Sequence, residues 1–249
     1  MADYLKLLLL FGLGSIAGFI NVNAGGGSAL TLPILIFFGM EGVIANGTNR
    51  IAIFIQNLSA IASFHNLDVH QFKLSARLAI FTLPGAIIGA LVATKINDEW
   101  FQRILGIIMF GIVLSIIISP NRKAEYNESK KEKRWLIYPL LFGIGFYGGF
   151  IQTGVGFLII MALYHTLKIG MVRVNMHKVF IICIYTLPAL IIFIWTGNVN
   201  WSYGLCLAAG MAFGAWWGAH VAVKKGEKAI RTILAFSIFV MSIKLLNLF

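Results

Sequence analysis

Gly12-Leu-Gly-Ser-Ile-Ala-Gly-Phe-Ile-Asn-Val-Asn-Ala-Gly-Gly-Gly-Ser-Ala-Leu-Thr-Leu-Pro33 decides how this chain is read. An apolar segment enters it from Tyr4, and a second leaves it from Ala29 to Phe38. Between them lie Asn21, Asn23, Gly25, Gly26, Gly27 and Ser28. Each glycine costs a helix about 1 kcal/mol relative to alanine, so no helix propagates comfortably through the triplet. The stretch predicts a helix that breaks inside a membrane. Irregular backbone at that depth survives only where protein or a water-filled cavity surrounds it. In transporters such breaks are where solutes bind.

Working outward, the rest of the chain is membrane-like. It is 59% hydrophobic and 12% charged, against about 25% charged in soluble domains. Nearly charge-free runs cover 74–94, 104–119, 179–196 and 201–223, each close to the roughly 20 residues that cross hydrocarbon. The net charge of +11 sits mainly in short loops, as orientation signals do, so nucleic acid is not an expected partner. Cys183 and Cys206 fall in apolar helices and read as packing thiols. They offer neither metal spacing nor a disulfide framework.

The opening stretch occurs twice. At a shift of 131 residues, Phe11, Gly12, Gly14, Gly18, Phe19, Ile20 and Gly25 meet Phe142, Gly143, Gly145, Gly149, Phe150, Ile151 and Gly156. Chance gives about one or two such identities in fifteen positions, so the repeat is real. Past a small deletion, Asn49-Arg50 meets His177-Lys178, and Gly85 and Gly89 meet Gly214 and Gly218.

Orientation follows from the loop cations. The segment 120–134 carries Arg122, Lys123, Lys130, Lys131, Lys133 and Arg134, which marks it as cytoplasmic. Counting helices 100–119, 74–94 and 48–64 backward, and 179–195 and 201–223 forward, puts loop 65–73 inside and its counterpart 196–200 outside. The two copies are then inverted. Ala29 to Phe38 rises only about 15 Å as a helix, half of a hydrocarbon core of roughly 30 Å. Residues 4–39 and 135–168 are therefore expected to be hairpins of bent or half-length helices. The expected fold is all-α: one polytopic transmembrane domain over 1–249, with inverted repeats at about 4–119 and 135–249 and a broken or hairpin helix opening each.

The polar residues at the breaks are the candidate site. Asn21 aligns with Gln152, so both copies offer an amide at one point, and Thr153, Gly154 and Gly156 follow in the second copy. Amides and hydroxyls bind oxygen-rich ligands without burying a charge. A helix starting at Gly26, Gly27 and Ser28 turns free N–H groups and a positive dipole end towards an anion. Gly12, Gly14 and Gly18 read instead as close-packing positions. A second polar set pairs Thr48, Asn49 and Arg50 with His177 and Lys178. Lys178 reads as an interfacial cation on the inner side. Arg50, on the outer side, reads equally as interfacial or as attracting an anion. All nine carboxylates fall in loops or at helix ends, which disfavours a cation or proton relay and favours anions. No ATP-binding or potassium-filter sequence is present, and no cofactor or metal is expected.

Gly14-x-x-x-Gly18-Phe19, the glycine triplet, Pro33, Ala45-Asn-Gly-Thr-Asn49 and Gly148-Gly-Phe-Ile-Gln-Thr-Gly-Val-Gly-Phe157 together resemble the sulfite exporter TauE/SafE family, over essentially the whole chain. The resemblance implies a bacterial-type plasma-membrane carrier of sulfite, sulfonates or similar small anions. Its implied site lies between the two breaks: 21–28, Thr48-Asn49, 152–156 and His177-Lys178. Gly-Val-Gly-Phe in the second copy, Arg50 and the Asn-Met-His-Lys segment depart from the family pattern. The expected function is secondary transport of a small anion by alternating access. An integral-membrane enzyme, an accessory subunit and a passive anion channel remain open alternatives, as does a homodimer.

Overall fold

The computed structural model describes residues 2–118 and 134–246, so the expected cytoplasmic linker lies almost wholly outside the described residues. Helices α1 (Ala2–Ala24), α2 (Ser28–Phe37), α3 (Gly42–Asn66), α4 (Phe72–Ile80), α5 (Leu83–Ala93) and α6 (Asp98–Ile118) form the first half. A single 3-10 turn, Arg134–Leu136, leads into α7 (Ile137–Phe150), α8 (Val155–Leu167), α9 (Met171–Trp195) and α10 (Trp201–Leu246) in the second. Among the described residues there is no strand. The chain is an all-α, multi-pass membrane protein. Among the described residues three helices, or four if α4 and α5 count as one span, are long and apolar enough to cross a bilayer.

The predicted breaks are present. α1 stops at Ala24 and α2 starts at Ser28, while α7 stops at Phe150 and α8 starts at Val155. One expectation needs correction. The predicted helix 74–94 is bent by 49° between α4 and α5. Pro84 lies at the start of α5, where it has no N–H to continue the ladder from α4. A second kink follows Gly226, whose φ of 67° interrupts α10.

Small residues hold the two halves together. The first helix of each repeat packs along a helix of the other: α1 on α10, and α7 on α5. A Cβ on Gly18 would lie 2.2 Å from the Met211 carbonyl, and one on Gly214 would lie 1.8 Å from that of Ser15. In the other pair, Gly149 meets the Ala86 carbonyl at 2.1 Å and Gly89 that of Phe146 at 2.1 Å. Only glycine lets the backbones come this close, and in lipid such packing is a main source of helix association. The contacts also revise the repeat register. Gly85 faces Phe142 and Gly210 faces Phe11, while Gly89 faces Phe146 and Gly214 faces Ser15. Because Phe142 and Phe146 are the counterparts of Phe11 and Ser15 at the shift of 131, the structural counterparts of Gly85 and Gly89 are Gly210 and Gly214. Sequence alignment alone placed them four residues later, one helical turn out, because these glycines recur every four residues.

This packing makes a direct prediction. Gly214→Ala drives a methyl into the Ser15 carbonyl and should cost about 1–3 kcal/mol, seen as a lower thermal midpoint in detergent. Gly12→Ala meets nothing within 4 Å and should be neutral or stabilise by about 0.5–1 kcal/mol. Equal midpoints for the two variants would contradict the packing described.

Polar side chains are buried alongside the apolar core, while large apolar ones are exposed. Phe37 and Trp195 are 86% and 89% exposed, whereas Asn23, Asn46, Asn49, Arg50, Gln56, Asn57, Asn175 and His177 are fully buried. Exposed apolar side chains face lipid, and the polar groups are gathered where only protein can satisfy them.

Candidate functional site

The two breaks meet. A Cβ on Gly25 would fall 2.5 Å from the carbonyl carbon of Gly156, and one on Gly156 would fall 2.4 Å from the Cα of Gly25. They are the two positions that meet at the shift of 131 in the sequence. Gly25 has φ +84° and Gly154 φ +73°, a region that only glycine enters freely. Gln152 lies there too, at φ 65°, which costs a side-chain-bearing residue of order 1 kcal/mol and is typical of functional sites. Ser28 bridges the breaks: its Oγ donates to the Gln152 carbonyl at 3.4 Å and accepts from the Gly154 N–H at 3.3 Å. The starts of α2 and α8 thus converge.

Each break is held by an amide. Asn21 Nδ2 donates to Gln56 Oε1 on α3 at 3.0 Å, and Asn21 Oδ1 accepts from the Gly27 N–H at 3.3 Å. Gln152 Nε2 donates to Thr186 Oγ1 on α9 at 2.9 Å. The two amides are nevertheless not at equivalent points, contrary to the alignment. Asn21 lies inside the last turn of α1, whereas Gln152 lies in the link after α7. The reason is length: α7 ends about one turn earlier than α1 relative to the repeat, and Gln152-Thr153-Gly154 fills the gap. Thr31 Oγ1 adds a bond to Asn49 Oδ1 at 2.8 Å, and the Tyr147 hydroxyl donates to the Thr153 carbonyl.

The cations take positions that the sequence did not suggest. Neither reaches the protein surface. Arg50 Nη1 and Nη2 donate to the carbonyls of Gly148, at 3.1 Å, and Gly149, and the guanidinium lies 4.6 Å from the Phe193 ring centroid. Lys178 Nζ donates to the carbonyls of Asn21 and Val22 at 2.9 and 2.6 Å and to Asn175 Oδ1 at 3.0 Å. Both side chains are at most 1% exposed. Among the described residues the one salt bridge is the exposed pair Arg103–Glu99, so neither buried cation has a carboxylate partner there.

A model of the sulfite exporter TauE/SafE family matches residues 10–245. The chain belongs to that family. This TauE/SafE chain is 29% identical over 250 residues to "Probable membrane transporter protein YfcA" of Escherichia coli strain K12, covering 99% of this chain and 91% of that one. It is 28% identical over 240 residues to "Probable membrane transporter protein ORF9" of Sinorhizobium sp, covering 96% and 92%. It is 26% identical over 267 residues to "Probable membrane transporter protein YunE" of Bacillus subtilis strain 168, covering 97% and 98%. No solved structure matches. It is a membrane transporter of the TauE/SafE family.

Around the contact of the two breaks the structure brings together Asn21, Gly25, Gly26, Gly27, Ser28, Asn49, Gln152, Thr153, Gly154 and Gly156. Three candidates point elsewhere. Asn23 Nδ2 donates to the Gly218 carbonyl on α10 at 3.2 Å, and Thr48 Oγ1 accepts from the Asn200 N–H at 2.9 Å. His177 Nδ1 pairs with Ser75 Oγ on α4 at 2.8 Å. Sequence reading missed Gln56, Thr186 and Tyr185. Gln56-Asn57 in mid-helix was a usable signal, since polar side chains deep in a span need a partner. Gln56 Nε2, Asn49 Nδ2, Gln152 Oε1, Thr153 Oγ1 and the Tyr185 hydroxyl are buried without a hydrogen-bond partner in the protein.

Proposed function

We propose that this protein is a secondary transporter of small sulfur oxyanions or organosulfonates, working by alternating access around the contact of the two breaks. One observation carries the reading. The N-terminal ends of α2 and α8 converge at Ser28 and Gly154 beside buried polar atoms that lack protein partners. Two helix starts aimed at one point favour negative charge, and half-helix ends of this kind hold anionic groups in other transporters. The buried Arg50 and Lys178, unmatched by carboxylate among the described residues, add positive potential. The chain is read as two inverted copies. In support, α1 and α3 both run parallel to α10, with Phe11 near Gly210 and Phe19 near Gly218, and with Ser59 near Ala212 and Ser63 near Trp216, so α1 and α3 point the same way. α7 runs antiparallel to α3, with Phe150 near Asn46 and Gly148 near Arg50. The sulfur specificity rests on the family name, and the plasma-membrane location with 120–134 in the cytoplasm rests on the loop cations. The reading is transport and not an enzymatic conversion.

Reconstituted vesicles test this. Saturable flux of radiolabelled sulfite or a small sulfonate is expected, with a carboxylate of equal charge as comparison. Asn21→Ala and Gln152→Ala should each reduce flux about tenfold or more, since each releases a buried partner and loosens one break. Parental flux in both variants, or non-saturating single-channel currents, would reject the carrier reading.

A further inference from the structure

We infer that Asn46–Arg50 and Asn175–Lys178 are reciprocal caps, each closing the broken first helix of the opposite repeat, and that they act as positioning residues for the site between the breaks. A helix ends with four carbonyls that have no partner within it, and in a membrane interior each one left bare is costly. At the end of α7, the carbonyls of Gly148 and Gly149 accept from Arg50, and that of Phe150 accepts from Asn46 Nδ2 at 2.8 Å. At the end of α1, the carbonyls of Asn21 and Val22 accept from Lys178, and that of Asn23 accepts from Asn175 Nδ2 at 3.2 Å. Amide and cation are four residues apart on α3 and three apart on α9, so each pair lies on one helix face. Three successive carbonyls are closed in each case by one amide and one cation; that of Phe150 also accepts from Arg50 Nη2 at 3.4 Å, and that of Asn21 from the Gly25 N–H at 2.9 Å.

The donors are exchanged between copies. α3 of the first repeat caps α7 of the second, and α9 of the second caps α1 of the first. A cation at a helix C-terminus also offsets the negative end of its dipole. The α1 and α7 ends are thereby neutralised, and the starts of α2 and α8 keep their positive ends uncompensated. Breaking a cap strands a buried charge together with bare carbonyls, so α1 stays with α9 and α7 stays with α3. Opening then falls to the links 25–27 and 151–154.

Amide hydrogen exchange on the full-length protein in detergent tests the exchange of caps. Lys178→Gln should speed exchange about tenfold or more across 20–28 and leave 148–156 as in the parent, and Arg50→Gln should do the reverse. Faster exchange in each variant's own repeat, in both breaks equally, or in neither, would overturn the inference. Should these variants fail to fold, Asn46→Ala removes the bond to the Phe150 carbonyl and Asn175→Ala removes the bond to the Asn23 carbonyl together with one acceptor of Lys178; both must give the same crossed pattern, while Arg50→Lys, which keeps the charge and loses the two-carbonyl fork, must speed exchange less than Arg50→Gln. For sulfite flux, positioning predicts a Vmax lowered about tenfold with KM within about threefold. A raised KM with parental Vmax and parental exchange would make the cations direct ligands instead. The exchange pattern needs no transported solute, so a parent that moves no sulfite would sink the proposed function and leave this test standing.

Discussion

Gly25→Ala should cut transport about a hundredfold, and Gly156→Ala should do the same. A Cβ at position 25 would sit 2.5 Å from Gly156, and one at position 156 would sit 2.4 Å from Gly25. These are backbone atoms, which cannot swing aside as a side-chain tip does. Overpacking of this kind costs about 1–3 kcal/mol, and Gly25 adds about 1–2 kcal/mol for its left-handed backbone. The breaks must separate to relieve it, which pulls the starts of α2 and α8 apart. Flux should fall about a hundredfold, the scale on which ångström misplacements cost a preorganised site. Gly39→Ala separates the causes: Gly39 shares a positive φ of 93° yet meets nothing within 4 Å, so it should lose some stability and keep its flux. Parental flux in Gly25→Ala or Gly156→Ala would show that the contact is not the site.

Arg50→Leu should be the most destabilising single change among the buried polar residues. It removes charge-assisted donors from Gly148 and Gly149 and the stacking on Phe193. Each buried carbonyl left without a donor costs about 1–3 kcal/mol. Arg50→Lys should recover only part of that, because a compact ammonium cannot reproduce the planar fork that spans two carbonyls. Arg103→Leu is the internal comparison: its pair with Glu99 is exposed, and such pairs are worth about 0–1 kcal/mol. Thermal midpoints in detergent rank the three. If Arg50→Leu unfolds no earlier than Arg103→Leu, the buried guanidinium has no structural role.

The breaks and the close-packed helix faces were legible in the sequence, and for one reason. Close backbone approach demands glycine at fixed spacing, so Gly14, Gly18, Gly145 and Gly149 mark packing faces, and Gly25 and Gly156 mark the junction. What sequence could not show was register and partnership. The four-residue recurrence of Gly85, Gly89, Gly210, Gly214 and Gly218 permits two alignments that differ by a turn, and only the facing carbonyls choose between them. Asn21 and Gln152 align in sequence, but one sits in a helix and the other in a link. Arg50 and Lys178 were visible as costly charges, yet apart from Asn175 Oδ1 their acceptors are main-chain oxygens, which every residue carries and no pattern reveals. The bend between α4 and α5 had Pro84 as its signal, overshadowed by an apolar run that reads as one span.

The interleaving of the halves bears on how the chain is made. While the first half enters the bilayer, Arg50 and Asn46 have no Phe150 or Gly148 to bind, and the end of α1 has no Lys178. The glycine face of α1 likewise waits for α10. The nascent first half therefore sits in the membrane with stranded polar groups until synthesis of the second is nearly done, so its maturation is post-insertional and all-or-none.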